Sequence, residues 1–165
     1  DPEEKYMSLN NTDAIASATV IWNDTAPTST VFSIGNDSSV NTSGEDYVAY
    51  CFQDIAGKLK IGSYDGTGVT AGEVVTVGFQ PAFLLIKSTA GGGGDDWFIY
   101  DSVRSPSSPM EDRLYPSANY ASANNAQYAI AVTSTTFQVN VLASPYGVGY
   151  GFNDSGVEYI YMAIA

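Results

Sequence analysis

Twelve residues near the middle of the chain return at its end. The first copy reads Asn41-Thr42-Ser43-Gly44-Glu45-Asp46-Tyr47-Val48-Ala49-Tyr50-Cys51-Phe52, the second Asn153-Asp154-Ser155-Gly156-Val157-Glu158-Tyr159-Ile160-Tyr161-Met162-Ala163-Ile164, an offset of 112 residues. A second echo, Glu3-Glu4-Lys5-Tyr6 against Glu111-Asp112-Arg113-Leu114, lies at an offset of 108. A period fixes the length of a unit without fixing where it starts, so 165 residues hold about one and a half units of a tandem array. The chain opens at Asp1-Pro2-Glu3 without an initiator methionine or a basic-then-apolar leader, and is expected to be a cleaved or excised piece.

Each copy runs from a Ser-Gly turn into aromatic and β-branched residues, the signature of a strand, at Tyr47 to Phe52 and Tyr159 to Ile164. Alternation places Tyr47, Ala49 and Cys51 on one face and Val48, Tyr50 and Phe52 on the other. Both faces are apolar, which predicts a strand inside a packed structure. Lys58 to Tyr64 alternates up to Asp65-Gly66, a pair suited to a tight hairpin turn, with Val74 to Phe79 as the expected return strand. Phe83-Leu84-Leu85-Ile86 is continuous and predicts a central strand buried on both faces. Further strands are expected at Trp97 to Asp101, Tyr128 to Val132, Phe137 to Leu142, Ala18 to Trp22 and Val31 to Ile34. Between them, the glycine run Gly91 to Gly94 with Asp95 and Asp96 reads as a loose loop, and Tyr115 to Gln127 as an irregular excursion over the surface. No amphipathic helix is present to cross over a parallel sheet, so the fold class is all-β, an antiparallel sandwich or jelly-roll-like domain.

Two divisions fit the repeat, since a lone half unit of about 50 residues buries too little surface to stand alone. In one, residues 1–53 are an incomplete, C-terminal half unit and 54–165 a complete unit, the half being finished by upstream chain or by a neighbouring subunit through strand addition. In the other, residues 1–53 pack on 54–110 and 111–165 are incomplete. The first places the apolar run Tyr159 to Ile164 as a closing central strand.

The chemistry available is narrow. Histidine is absent, which removes the commonest general base and transition-metal ligand. The single cysteine, Cys51, has no basic neighbour to lower its pKa and is expected to be a small buried apolar residue. Neither a Ser-His-Asp nor a Cys-His arrangement can be assembled. A carboxylate-only glycosidase would need two of the 18 acidic residues in one cleft, and nothing singles out a pair. The glycine run lacks a following Lys-Ser/Thr and is no phosphate loop. Acidic loop residues Asp95, Asp96, Asp154 and Glu158 do not form a calcium-ligand series. The expectation is a non-enzyme with no cofactor and no resident metal. A net charge of -12 with six Lys and Arg opposes nucleic acid, and no apolar run of membrane-spanning length occurs. Sequons at Asn10, Asn23, Asn36, Asn41 and Asn153 are the number that chance supplies in so Ser- and Thr-rich a chain.

The succession of the first repeat copy, then Gly62-Ser63-Tyr64-Asp65-Gly66-Thr67-Gly68, then Val77 to Lys87, then Trp97-Phe98-Ile99-Tyr100-Asp101-Ser102-Val103-Arg104 resembles a repeated domain of uncharacterised function. That domain occurs in virion proteins of tailed bacteriophages, many of marine and cyanobacterial hosts. The likeness runs from Tyr6 to the end, with the loop after Lys87 expanded into the glycine run. It implies a structural part of a particle: a tail fibre, spike or head-surface appendage, exposed on the virion. The expected partners are other copies, as a trimer, and other virion proteins. The competing reading is a carbohydrate-binding adhesion module. Tyr115, Tyr120, Tyr128, Tyr146 and Tyr150 lie in polar or glycine-rich stretches and are the candidate glycan contacts.

Overall fold

The structure is a computed structural model. It describes residues 2–69, 71–91, 96–124, 126–139 and 152–165. Among these, eleven strands, two single-turn α-helices and two 3-10 turns fall into two compact units, residues 1–8 with 14–52, and residues 9–13 with 53–165.

In the smaller unit, β1 (Lys5–Tyr6) pairs antiparallel with β2 (Ala16–Ser17), and α1 (Thr19–Trp22) and α2 (Ser38–Asn41) follow. Thr-Val-Ile-Trp favours a strand by its side chains, yet Ala18 to Trp22 does not extend. Tertiary partners override the local preference: Ile21 is buried, Gly35 N–H donates to the Ile21 carbonyl at 2.7 Å, and the Trp22 indole donates to the Lys5 carbonyl at 2.8 Å. Left-handed Asn23 (φ 56°) then ends the turn, a conformation asparagine tolerates. Asp37 caps α2 by accepting from the Ser39 amide at 2.8 Å. The Val31 to Ile34 segment is no strand, and Val31, Phe32 and Ile34 are exposed.

Tyr47 to Phe52, expected as a buried strand, is exposed and, among the described residues, is not paired with a neighbouring strand. Val48 is 80% and Tyr50 82% exposed, and the Cys51 thiol, expected in a core, faces solvent. With no adjacent strand to take its amides and carbonyls, the run has no ladder to join.

In the larger unit the strands are β3 (Leu59–Asp65), β4 (Val74–Thr76), β5 (Phe83–Ser88), β6 (Phe98–Asp101), β7 (Asp112–Leu114), β8 (Ala123–Asn124), β9 (Ile130–Val132), β10 (Thr136–Val139) and β11 (Glu158–Ile164). One antiparallel sheet has the order β3-β11-β5-β6-β7-β8 and the other β4-β10-β9. β5 is the central, largely buried strand that its unbroken apolar run predicts. The sequence reading of a hairpin from β3 directly to Val74 is incorrect. β3 instead pairs along its whole length with β11, from Asp65↔Glu158 to Leu59↔Ile164, while β4 joins the opposite sheet. Close backbone contact replaces the tight turn: Gly66 N–H donates to the Val157 carbonyl at 2.8 Å, and a Cβ on Gly66 would lie 2.2 Å from the Asp154 carbonyl oxygen.

Alternation sets the core. Tyr159, Tyr161 and Ala163 of β11 and Leu84 and Ile86 of β5 point inward, and from the facing sheet come Val75, Phe137, Val139 and Ile130. Phe137 meets the Tyr161 ring edge-on at 5.2 Å and Tyr64 at 6.1 Å, which joins the two sheets into a sandwich. The chain is therefore all-β and antiparallel.

Candidate functional site: an arginine among aromatic rings

β6 directs Phe98 and Tyr100 inward, and β7 sets Arg113 opposite Tyr100 in register, so a lone cation on a short strand is carried into an aromatic environment. The Arg113 guanidinium carbon lies 3.9 Å from the Tyr128 ring centre, 5.2 Å from Tyr115 and 5.6 Å from Phe98. Its Nε donates to the Tyr115 hydroxyl at 2.5 Å. Nη1 is buried and has no hydrogen-bond partner among the described residues. Ring faces carry negative quadrupole charge and here take the place that a carboxylate fills in an ordinary buried pair. The planar, weakly hydrated guanidinium suits such stacking better than an ammonium does.

Around this centre the polar groups are spoken for. Tyr100 donates to the Tyr128 carbonyl at 2.6 Å. Burial pushes its hydroxyl far above the ordinary phenol range, against the opposing pull of the Arg113 charge, so it stays protonated at any working pH. Asp96 is buried and accepts from the Ser117 hydroxyl at 3.1 Å, and that hydroxyl accepts from the Trp97 amide at 3.0 Å. The arrangement supports non-covalent contacts through ring faces and edges.

The structure brings three of the five expected glycan contacts together. Tyr115 and Tyr128 are half-buried against Arg113, and Tyr120 stands edge-on to Tyr115 at 5.4 Å and is 66% exposed. Tyr115 and Tyr128 are thus committed to the cation, and Tyr120 presents its ring to solvent. Tyr146 and Tyr150 lie outside the described residues, as do Gly92 to Gly94 and Asp95. Among the described residues no group of three or more His, Cys, Asp or Glu is placed to hold a metal ion. Of the acidic loop residues, Asp154 N–H donates to the Tyr159 hydroxyl, and the Glu158 carbonyl accepts from Thr89. No helix among the described residues is long and apolar enough to cross a membrane.

Sequence reasoning did not find Arg113. Its only signal was its place in the Glu111-Asp112-Arg113-Leu114 echo.

The family model for "Domain of unknown function (DUF7483)" matches residues 2–165. The chain belongs to the DUF7483 family. No curated protein and no solved structure matches it. The DUF7483 match takes in both compact units, the arginine cluster and both copies of the repeated segment.

Proposed function

We propose that this DUF7483 chain is a non-enzymatic structural module of a tailed-bacteriophage particle, a tail fibre, spike or head-surface appendage that assembles as an oligomer with other virion proteins. The observation that carries the reading is the repeated twelve-residue segment, because repetition of one unit along a chain builds length and surface. The motif order from Asn41 to Arg104 and its resemblance to phage virion domains supply the setting. The use of buried polar groups in the larger unit supports a scaffolding role. Lys87 donates to the Ser88 carbonyl at 2.7 Å, Asn153 bonds Thr67 and Val69, and the Ser105 hydroxyl accepts from the Glu111 and Asp112 amides. These groups hold backbone in place. The test is mass spectrometry of purified virions together with the solution mass of the purified chain. Recovery from particles and a mass near three times 17.5 kDa are expected. Absence from particles, with a stable monomer, would overturn the reading.

A carbohydrate-binding adhesion module is the second reading, favoured by the exposed Tyr120 ring beside Tyr115. A ring face open to water can stack on a sugar. Tyr120→Ala should then abolish binding on a glycan array while leaving the melting temperature unchanged. Binding that survives the change would remove Tyr120 from the reading.

A further inference from the structure

The repeated segment occupies two different states in one chain. β11 sits between β3 and β5 with Tyr159, Tyr161 and Ala163 in the core, while Tyr47, Val48, Tyr50, Cys51 and Phe52 stand exposed, without a strand neighbour among the described residues. Yet the turns leading into both copies are built alike. The Thr42 amide donates to the Tyr47 hydroxyl at 2.9 Å, and the Asp154 amide to the Tyr159 hydroxyl at 3.0 Å. Glu45 N–H donates to the Thr42 carbonyl at 3.2 Å, and Val157 N–H to the Asp154 carbonyl at 3.1 Å. Gly44 has φ 85° and Gly156 φ 76°, left-handed positions that glycine adopts without strain. The Asn41 side-chain Nδ2 donates to the Gly35 carbonyl and the Asn153 Nδ2 to the Val69 carbonyl, each at 2.9 Å. Four local features therefore recur at the offset of 112 residues, and in the second copy they launch a central strand.

We propose that residues 45–52 are an interaction strand, and that its partner is another DUF7483 unit whose sheet lacks its own closing strand. Register defines the fit. Tyr47, Ala49 and Cys51 take the inward places that Tyr159, Tyr161 and Ala163 hold in β11, and Val48, Tyr50 and Phe52 take those of Ile160, Met162 and Ile164. The strand runs antiparallel between the partner's equivalents of β3 and β5, so both its hydrogen-bonding edges are used. One feature of the partner follows. In this chain Gly62 leaves room for the Tyr161 ring, whose hydroxyl would lie 2.7 Å from a Cβ there. Ala49 needs no such room, so the partner carries a larger residue at the position of Gly62. The inference rests on the repeat and its geometry and stands whether or not the chain belongs to a virion.

The test moves the segment into the slot it is inferred to fit. In the full chain with Cys51→Ser, residues 45–52 are copied onto 157–164 with Tyr161 retained, and a second graft places residues 46–53 on 157–164, which displaces the run by one residue toward the N-terminus and keeps Gly156. Displacement turns Val48, Tyr50 and Phe52 to the core face. The in-register graft should melt about 10 °C or more above the displaced one. Its single thiol, at position 163, should react with a thiol reagent at least about 100-fold more slowly than Cys51 does in the native chain, as a fully buried site opens rarely. An in-register graft no more stable than the displaced one, or a thiol as reactive as Cys51, would overturn the proposal.

Discussion

Asn153 shows how much a single side chain can fix. It is fully buried, its Oδ1 accepts from the Thr67 amide at 2.7 Å and hydroxyl at 3.1 Å, and its Nδ2 donates to the Val69 carbonyl at 2.9 Å. Asn153→Ala should cost about 2–3 kcal/mol in urea unfolding, because it strands a backbone donor and an acceptor whose water has been removed. Burial also closes this sequon to a glycosyltransferase in the folded protein. Gly66 acts by having no side chain. Gly66→Ala would press a methyl against the Asp154 carbonyl and should cost about 1–3 kcal/mol in the same measurement. Asp101 contributes to the pH dependence. Burial pushes its carboxyl up, but the Arg104 amide and guanidinium and the Val103 amide outweigh it and hold the pKa below the ordinary 3.8. A carboxyl lowered in the folded state contributes stability that is full above pH 3.8 and fades as the pH falls through the lower folded value. Asp101→Asn keeps an oxygen for the two amides, and should flatten the acid limb of a stability-against-pH curve.

At the scale of elements, β11 is the strand on which the larger unit depends. Tyr161→Ala would remove a ring that touches Phe137 and covers Gly62, and should destabilise the unit by about 3 kcal/mol. The strand was legible in the sequence, as was β5, because buried apolar runs bounded by turn residues carry their own signal. Pairing was not. Asp65-Gly66 looks like a hairpin turn from local chemistry, but the partner of β3 lies almost a hundred residues away, and no local feature encodes that choice. Ala18 to Trp22 failed for the opposite reason, a strand-like composition held in a helical turn by Gly35 and Lys5. The aromatic cluster was half visible. Tyrosines in polar stretches marked Tyr115, Tyr120 and Tyr128, while the role of Arg113 emerges only when β6 and β7 set it among the rings.

At the scale of the molecule, two compact units divide one chain, and the larger holds a core shared by its two sheets. In the smaller, exposed apolar side chains include Val31, Phe32 and Ile34 and a consecutive run within residues 47–52. Residues 47–52, whose twin is a core strand, carry the apolar side chains that the proposed pairing with a second unit would cover. One sequence element is thus folded into a sheet at the end of the chain and, among the described residues, has no strand partner near its middle. Hydrogen exchange on the intact protein, resolved by peptide, tests it most directly. Amides of Glu158–Ile164 should be slowed by a factor of roughly 1,000 or more, and those of 45–52 should exchange at close to the free rate. Comparable protection of the two segments, or fast exchange in Glu158–Ile164, would contradict the account.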